Sequence, residues 1–90
     1  MSPLLATGDS PQVGTLGATT VAASLGNQPC SAVLVQSDPG NGQNVLVGNS
    51  GSQTVVLQPG KAICIPCSNV SQIFVKAVSG TMTVNWFSID

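Results

Sequence analysis

Residues 71–89 read SQIFVKAVSGTMTVNWFSI, and the spacing inside them decides the fold. Ile73, Val75 and Ala77 alternate with Phe74, Lys76 and Val78. Beyond Ser79-Gly80, Met82, Val84 and Trp86 alternate with Thr81, Thr83 and Asn85. Successive side chains of a strand point to opposite faces, so a period of two marks strands with one buried face. The Ser-Gly pair between them is turn chemistry. The spacing predicts strands at 71–78 and 81–89. Trp86 is expected inside the core, and Phe74, Lys76 and Val78 on an outer face.

The same pattern extends towards the N-terminus. Turn signals recur at Gly26-Asn27, Asp38-Pro39-Gly40-Asn41-Gly42, Asn49-Ser50-Gly51 and Pro59-Gly60. Between them lie strand candidates at 17–25, 30–37, 43–48, 53–58 and 61–66. In residues 30–37, Cys30, Ala32 and Leu34 oppose Val33 and Val35. No window repeats its apolar residues at helical spacing. Short strands with regular Gly/Pro/Asn punctuation predict an all-β fold. The expectation is one small antiparallel β-sandwich, jelly-roll or Greek-key like, of about seven strands over residues 13–90. Residues 1–12 carry Pro3, Gly8, Asp9 and Pro11 without periodicity and read as a short extended arm. Its apolar pair, Leu4 and Leu5, is either part of a plain terminus or a tether that docks on a neighbouring chain.

Composition narrows the function. Only 6% of the 90 residues are charged, against ~25% in an ordinary soluble domain. The charges are Asp9, Asp38, Lys61, Lys76 and Asp90, for a net −1. The surface must therefore be covered by Ser, Thr, Asn, Gln and Gly, which repel copies of themselves weakly. Such a surface suits a protein that lives in an assembly. Two lysines without arginine cannot neutralise a run of phosphates, and Phe74, Trp86 and Phe87 make no stacking platform. Nucleic acid is not an expected partner. Apolar runs such as Ala32–Val35 fall far short of the ~20 residues that span a bilayer, so no membrane is expected either. The first residues lack the basic start and apolar run of a secretion signal, which predicts synthesis in the cytoplasm.

Catalytic chemistry lacks its usual carriers. The chain has no histidine, glutamate or tyrosine, so the common general base and the His-dependent triads are missing. No enzyme activity, cofactor or metal is expected. Cys30, Cys64 and Cys67 form an odd set, unlike a disulfide framework, and read as reduced, buried or half-buried thiols. Cys64-Ile65-Pro66-Cys67 has the spacing of a zinc or redox pair. Zinc wants four ligands, however, and a redox pair sits before a helix. Structural cysteine is the favoured reading. Gly40-Asn41-Gly42 is a hairpin turn rather than a phosphate loop, since a third glycine and a helix are missing. Asn69-Val70-Ser71 matches a glycosylation sequon that has no meaning without export.

A further set of residues runs in order along two-thirds of the chain: Gln28-Pro29-Cys30, Val33-Leu34-Val35-Gln36-Ser37-Asp38 and Asn44-Val45-Leu46-Val47-Gly48 come first. Leu57-Gln58-Pro59-Gly60-Lys61, Val70 to Ala77 and Val84-Asn85-Trp86 follow. In this order they resemble a family of small β-rich proteins encoded among tailed-bacteriophage virion genes. Members of that family read N-x-Y-V-G, L-x-P-G-x-S, L-S-x-I-Y-V-x-A and V-x-W. Leu46 and Phe74 stand here where the family commonly has aromatic hydroxyls, so contacts through a phenol hydroxyl do not carry over. The resemblance implies a virion structural role, as a capsid decoration (cement) protein bound to the major capsid protein. It further implies a homotrimer assembled in the host cytoplasm. The alternative is a receptor- or carbohydrate-binding module of a fibre or tail. The candidate contacts between subunits are Leu4, Leu5, Phe74, Lys76 and Val78.

Overall fold

The protein is described here by a computed structural model covering residues 12–89. Leu4, Leu5 and the rest of the expected arm up to Pro11 lie outside the described residues, as does Asp90. Eight strands follow in chain order: β1 Val13–Ala18, β2 Ala23–Ser24, β3 Ala32–Ser37, β4 Val45–Gly48, β5 Gln53–Leu57, β6 Ala62–Pro66, β7 Phe74–Ala77 and β8 Met82–Ile89. They form two antiparallel sheets of four, ordered β1-β8-β3-β6 and β2-β7-β4-β5.

That order is a jelly roll, and its logic shows in the register. Val13 pairs with Phe87, Ala23 with Val75, Val33 with Ile65 and Val45 with Leu57. The numbers of each pair add to about 100, so the chain is one long hairpin doubled back at the β4–β5 turn. Asn49 locks that turn. Its Oδ1 accepts from the amides of Gly51 and Ser52, both at 2.9 Å. The doubled ribbon then rolls up, bringing β8 against β3 and β7 against β4. Rolling leaves each sheet one inner face. Val33, Val35 and Val84 of one meet Val45, Val47 and Val75 of the other, all essentially inaccessible to water. β-Branched side chains fit this pleated packing because their χ1 freedom is already restricted.

Three expectations are corrected. Among the described residues there are eight strands where seven segments were expected, because the segment 17–25 is broken at a corner. The hydroxyl of Thr19 accepts from the Val21 amide at 3.2 Å, and this local bond competes with a ladder. The chain crosses there from one sheet to the other. Secondly, the start of segment 71–78 is a 3-10 turn, Val70–Gln72. Asn69 caps it by accepting from the Ser71 amide at 2.9 Å, while Gln72 Oε1 accepts from the Asn69 amide at 3.3 Å. The sequon asparagine thus works as a helix cap. Thirdly, Trp86 faces inward and packs on the core but is only half-buried. It lies opposite Gly14 on the edge strand β1, where an ideal Cβ would stand 2.5 Å from the indole Nε1. The ring closes one side of the sandwich instead of filling its centre.

Candidate assembly surface

The outward positions of the sheet β1-β8-β3-β6 line up in rows across all four strands. Val13 pairs with Phe87, Phe87 with Leu34, and Leu34 with Cys64. The adjoining row is Ile89, Ala32 and Pro66. Val13 is 72% exposed, and Leu34, Phe87 and Ile89 are each about 40% exposed. Cross-strand neighbours stand 4.5–5.5 Å apart, so these side chains form one continuous apolar band. Single exposed apolar residues are ordinary, but a contiguous band is a mark of contact with another molecule.

Further along the strands the same face turns polar. The next row is Thr15, Asn85, Gln36 and Ala62. Asn85 Nδ2 donates to Gln36 Oε1 at 3.2 Å and to Asp38 Oδ1 at 3.1 Å, and Thr15 Oγ1 donates to Asn85 Oδ1 at 3.3 Å. The Gly40 amide on Asp38 Oδ2, followed by Asn85, holds the Asp38 carboxyl below its ordinary pKa. A shallow depression of about 210 Å³ lies where the two halves meet, lined by Val13, Leu34, Gln36, Ala62, Asn85, Trp86 and Phe87. A second, of about 310 Å³, is lined by Val47, Val55, Ile63, Ile65 and Ile73 and opens between the sheets along β5 and β6.

Of the expected contact residues, Phe74, Lys76 and Val78 fall on the side of the opposite sheet. Phe74 and Lys76 point outward from β7 and are half-buried, and Val78, just beyond it, is 52% exposed. Phe74 sits beside Ser24 and Gly48, while Lys76 sits beside Leu46 and then Val56. This face is smaller and carries a charge. Leu4 and Leu5 are outside the described residues. Sequence reasoning therefore missed the longer band. Its signal was the parity that turns Trp86 inward, since it necessarily turns Phe87 outward. The alignment with Val13, Leu34 and Cys64 needs the register.

The cysteines divide by face. Cys64 is exposed, contrary to the expectation of buried or half-buried thiols, because its parity on β6 is that of the outer row. Cys30 and Cys67 are half-buried against the core. Among the described residues, no group of three or more His, Cys, Asp or Glu is placed to hold a metal ion, and no helix is long and apolar enough to cross a membrane. Compared with known proteins, the chain matches no family model, no curated protein and no solved structure.

Proposed function

We propose that this chain is a non-enzymatic structural protein of a bacteriophage virion, a capsid decoration (cement) protein. It associates with copies of itself, as a homotrimer, and binds the major capsid protein. The observation that carries this reading is the uncharged apolar band of Val13, Phe87, Leu34 and Ile89 across a whole sheet. A band without charge does not repel a second copy, and it gains by leaving water. A jelly roll is also a scaffold that capsid and lectin domains share. The catalytic residue types missing from the sequence agree with a role that needs adhesion and no chemistry.

The test is addition of pure protein to phage heads stripped of their decoration, with binding read by co-sedimentation and by resistance of the heads to heat. Phe87 is 40% exposed. A whole aromatic side chain buries ~150–250 Å², so ~80 Å² of Phe87 remains to be covered, worth about 2 kcal/mol. Phe87→Ser should therefore weaken binding roughly thirty-fold and leave the β-sheet circular dichroism unchanged. Wild-type protein that neither self-associates nor binds heads removes this reading. The shallow depression beside Phe87, with the Asn85 and Gln36 amides at its rim, favours a second one: a receptor- or carbohydrate-binding module. Saturable binding to an isolated glycan, abolished by Asn85→Ala with head binding absent, would select it.

A further inference from the structure

The β3–β6 ladder continues past its named strands. Ala32 pairs with Pro66, and Pro29 forms a further antiparallel bridge with Asn69. Between these, the Cys30 amide donates to the Ser68 carbonyl at 3.0 Å and the Cys67 amide to the Ser31 carbonyl at 3.3 Å. These bonds hold Cys30 and Cys67 diagonally across two adjacent strands. Their sulfurs stand 3.5 Å apart, half-buried, although the two residues are 37 positions apart in sequence. Cys64, on the other face of β6, is outside this pair.

We propose that Cys30 and Cys67 form a covalent staple when the protein meets a small-molecule disulfide as oxidant. One thiol loses its proton and attacks a sulfur of the oxidant, giving a mixed disulfide and releasing one thiolate. The second thiol then loses its proton and attacks the protein sulfur of that mixed disulfide, and the other half of the oxidant leaves. One S–S bond forms in the protein and one breaks in the oxidant. Two electrons and two protons pass to the oxidant, which departs as two thiols. Little has to move, because the backbone bonds already hold the two residues side by side and the sulfurs need only close from 3.5 Å to the ~2.0 Å of a disulfide bond. Burial, and then the adjoining Cys30, push the Cys67 thiol up to about 11, so it is mostly protonated at neutral pH. Thiolate is the reacting form, so closure is slow at neutral pH and speeds up under alkaline conditions. In a reducing cytoplasm the pair stays open, and the staple closes after transfer to an oxidising medium. It ties the segment before β3 to the segment after β6.

The experiment treats the full chain with oxidised glutathione at mildly alkaline pH, then alkylates, digests and maps the peptides. The expected product has lost the mass of two hydrogens and links the Cys30 and Cys67 peptides, with Cys64 alkylated. Cross-linking a loop of this length restricts the unfolded chain, so the oxidised protein should melt roughly 10 °C or more above the reduced form. Cys30→Ser and Cys67→Ser should each abolish this shift, and Cys64→Ala should keep it. Recovery of all three thiols, pairing that involves Cys64, or a linked form that melts no higher than the reduced one overturns the proposal. The peptide map of unmutated protein decides the pairing even if a serine variant fails to fold.

Discussion

Replacing Asn41 by alanine should unroll one corner of the sandwich. Asn41 sits in the turn after β3, where its amide donates to the Asp38 carbonyl at 3.0 Å. Its side chain then behaves as a piece of strand against the start of β8. Nδ2 donates to the Thr83 carbonyl at 2.8 Å, and Oδ1 accepts from the Thr83 amide at 2.8 Å. Nδ2 also donates to Ser37 Oγ at 2.9 Å, on a serine with no exposed surface. Asn41→Ala removes all three bonds. A typical hydrogen bond contributes about 1 kcal/mol net, and a buried group left without its partner costs about 1–3. The half-buried Thr83 groups recover part of their loss from water, whereas Ser37 does not. The sum is about 3 kcal/mol, a large share of the 5–15 kcal/mol that holds a small domain together. For a domain this size that is a fall in Tm of roughly 15 °C. Thermal melts followed by circular dichroism measure it. Asn41→Asp separates donor from acceptor. It keeps an acceptor for the Thr83 amide but sets a carboxylate against the Thr83 carbonyl. Its folded pKa is therefore raised above the usual ~3.9, and the penalty should shrink as pH falls through that raised value. Melting of Asn41→Ala within about 1 kcal/mol of wild type would refute the role assigned to this side chain.

Three further outcomes follow from other corners of the molecule. Gly14→Val places a side chain where the Trp86 ring lies, so it should displace the indole, shift its fluorescence to the red and lower Tm; unchanged fluorescence would show the packing to be misread. The lowered pKa of Asp38 means its ionised form stabilises the fold above the ordinary carboxylate range, and this stabilisation is lost as pH falls through the lowered value. Asp38→Asn should flatten the acid side of the pH–Tm curve, and an unaltered curve would contradict the Gly40 and Asn85 bonds as its cause. The raised Cys67 pKa acts at the other end: above about 9 the unfolded thiol ionises first, so stability contributed by Cys67 is lost between about 9 and 11. Cys67→Ser should remove that part of the alkaline decline in reduced protein, which comparison of the two pH–Tm curves measures.

What the sequence determined by itself was much of what depends on neighbours along the chain, although the capped turn Val70–Gln72 and the Thr19 bond, both local, fall within segments that read as strand. Alternation in 71–89 placed Val75, Ala77 and Val84 inside, because parity is a property of a single strand. Turn residues such as Asn49 and the Gly60 with φ 84° marked the reversals, because their side chains or backbone freedom act within a few residues. The scarcity of charge was legible as well, since composition needs no fold to be read. Only the tertiary structure decided the rest. The Thr19 corner splits one expected strand in two because the sandwich edge lies there. Trp86 stays half-buried because its partner Gly14 belongs to an edge strand. The apolar band joins residues 13, 34, 64 and 87, and Cys30 comes within 3.5 Å of Cys67, through pairings distant in sequence. Rolling the hairpin sets those pairings. The alternation on each strand is compatible with many registers, so the rows appear only once the whole chain has closed on itself.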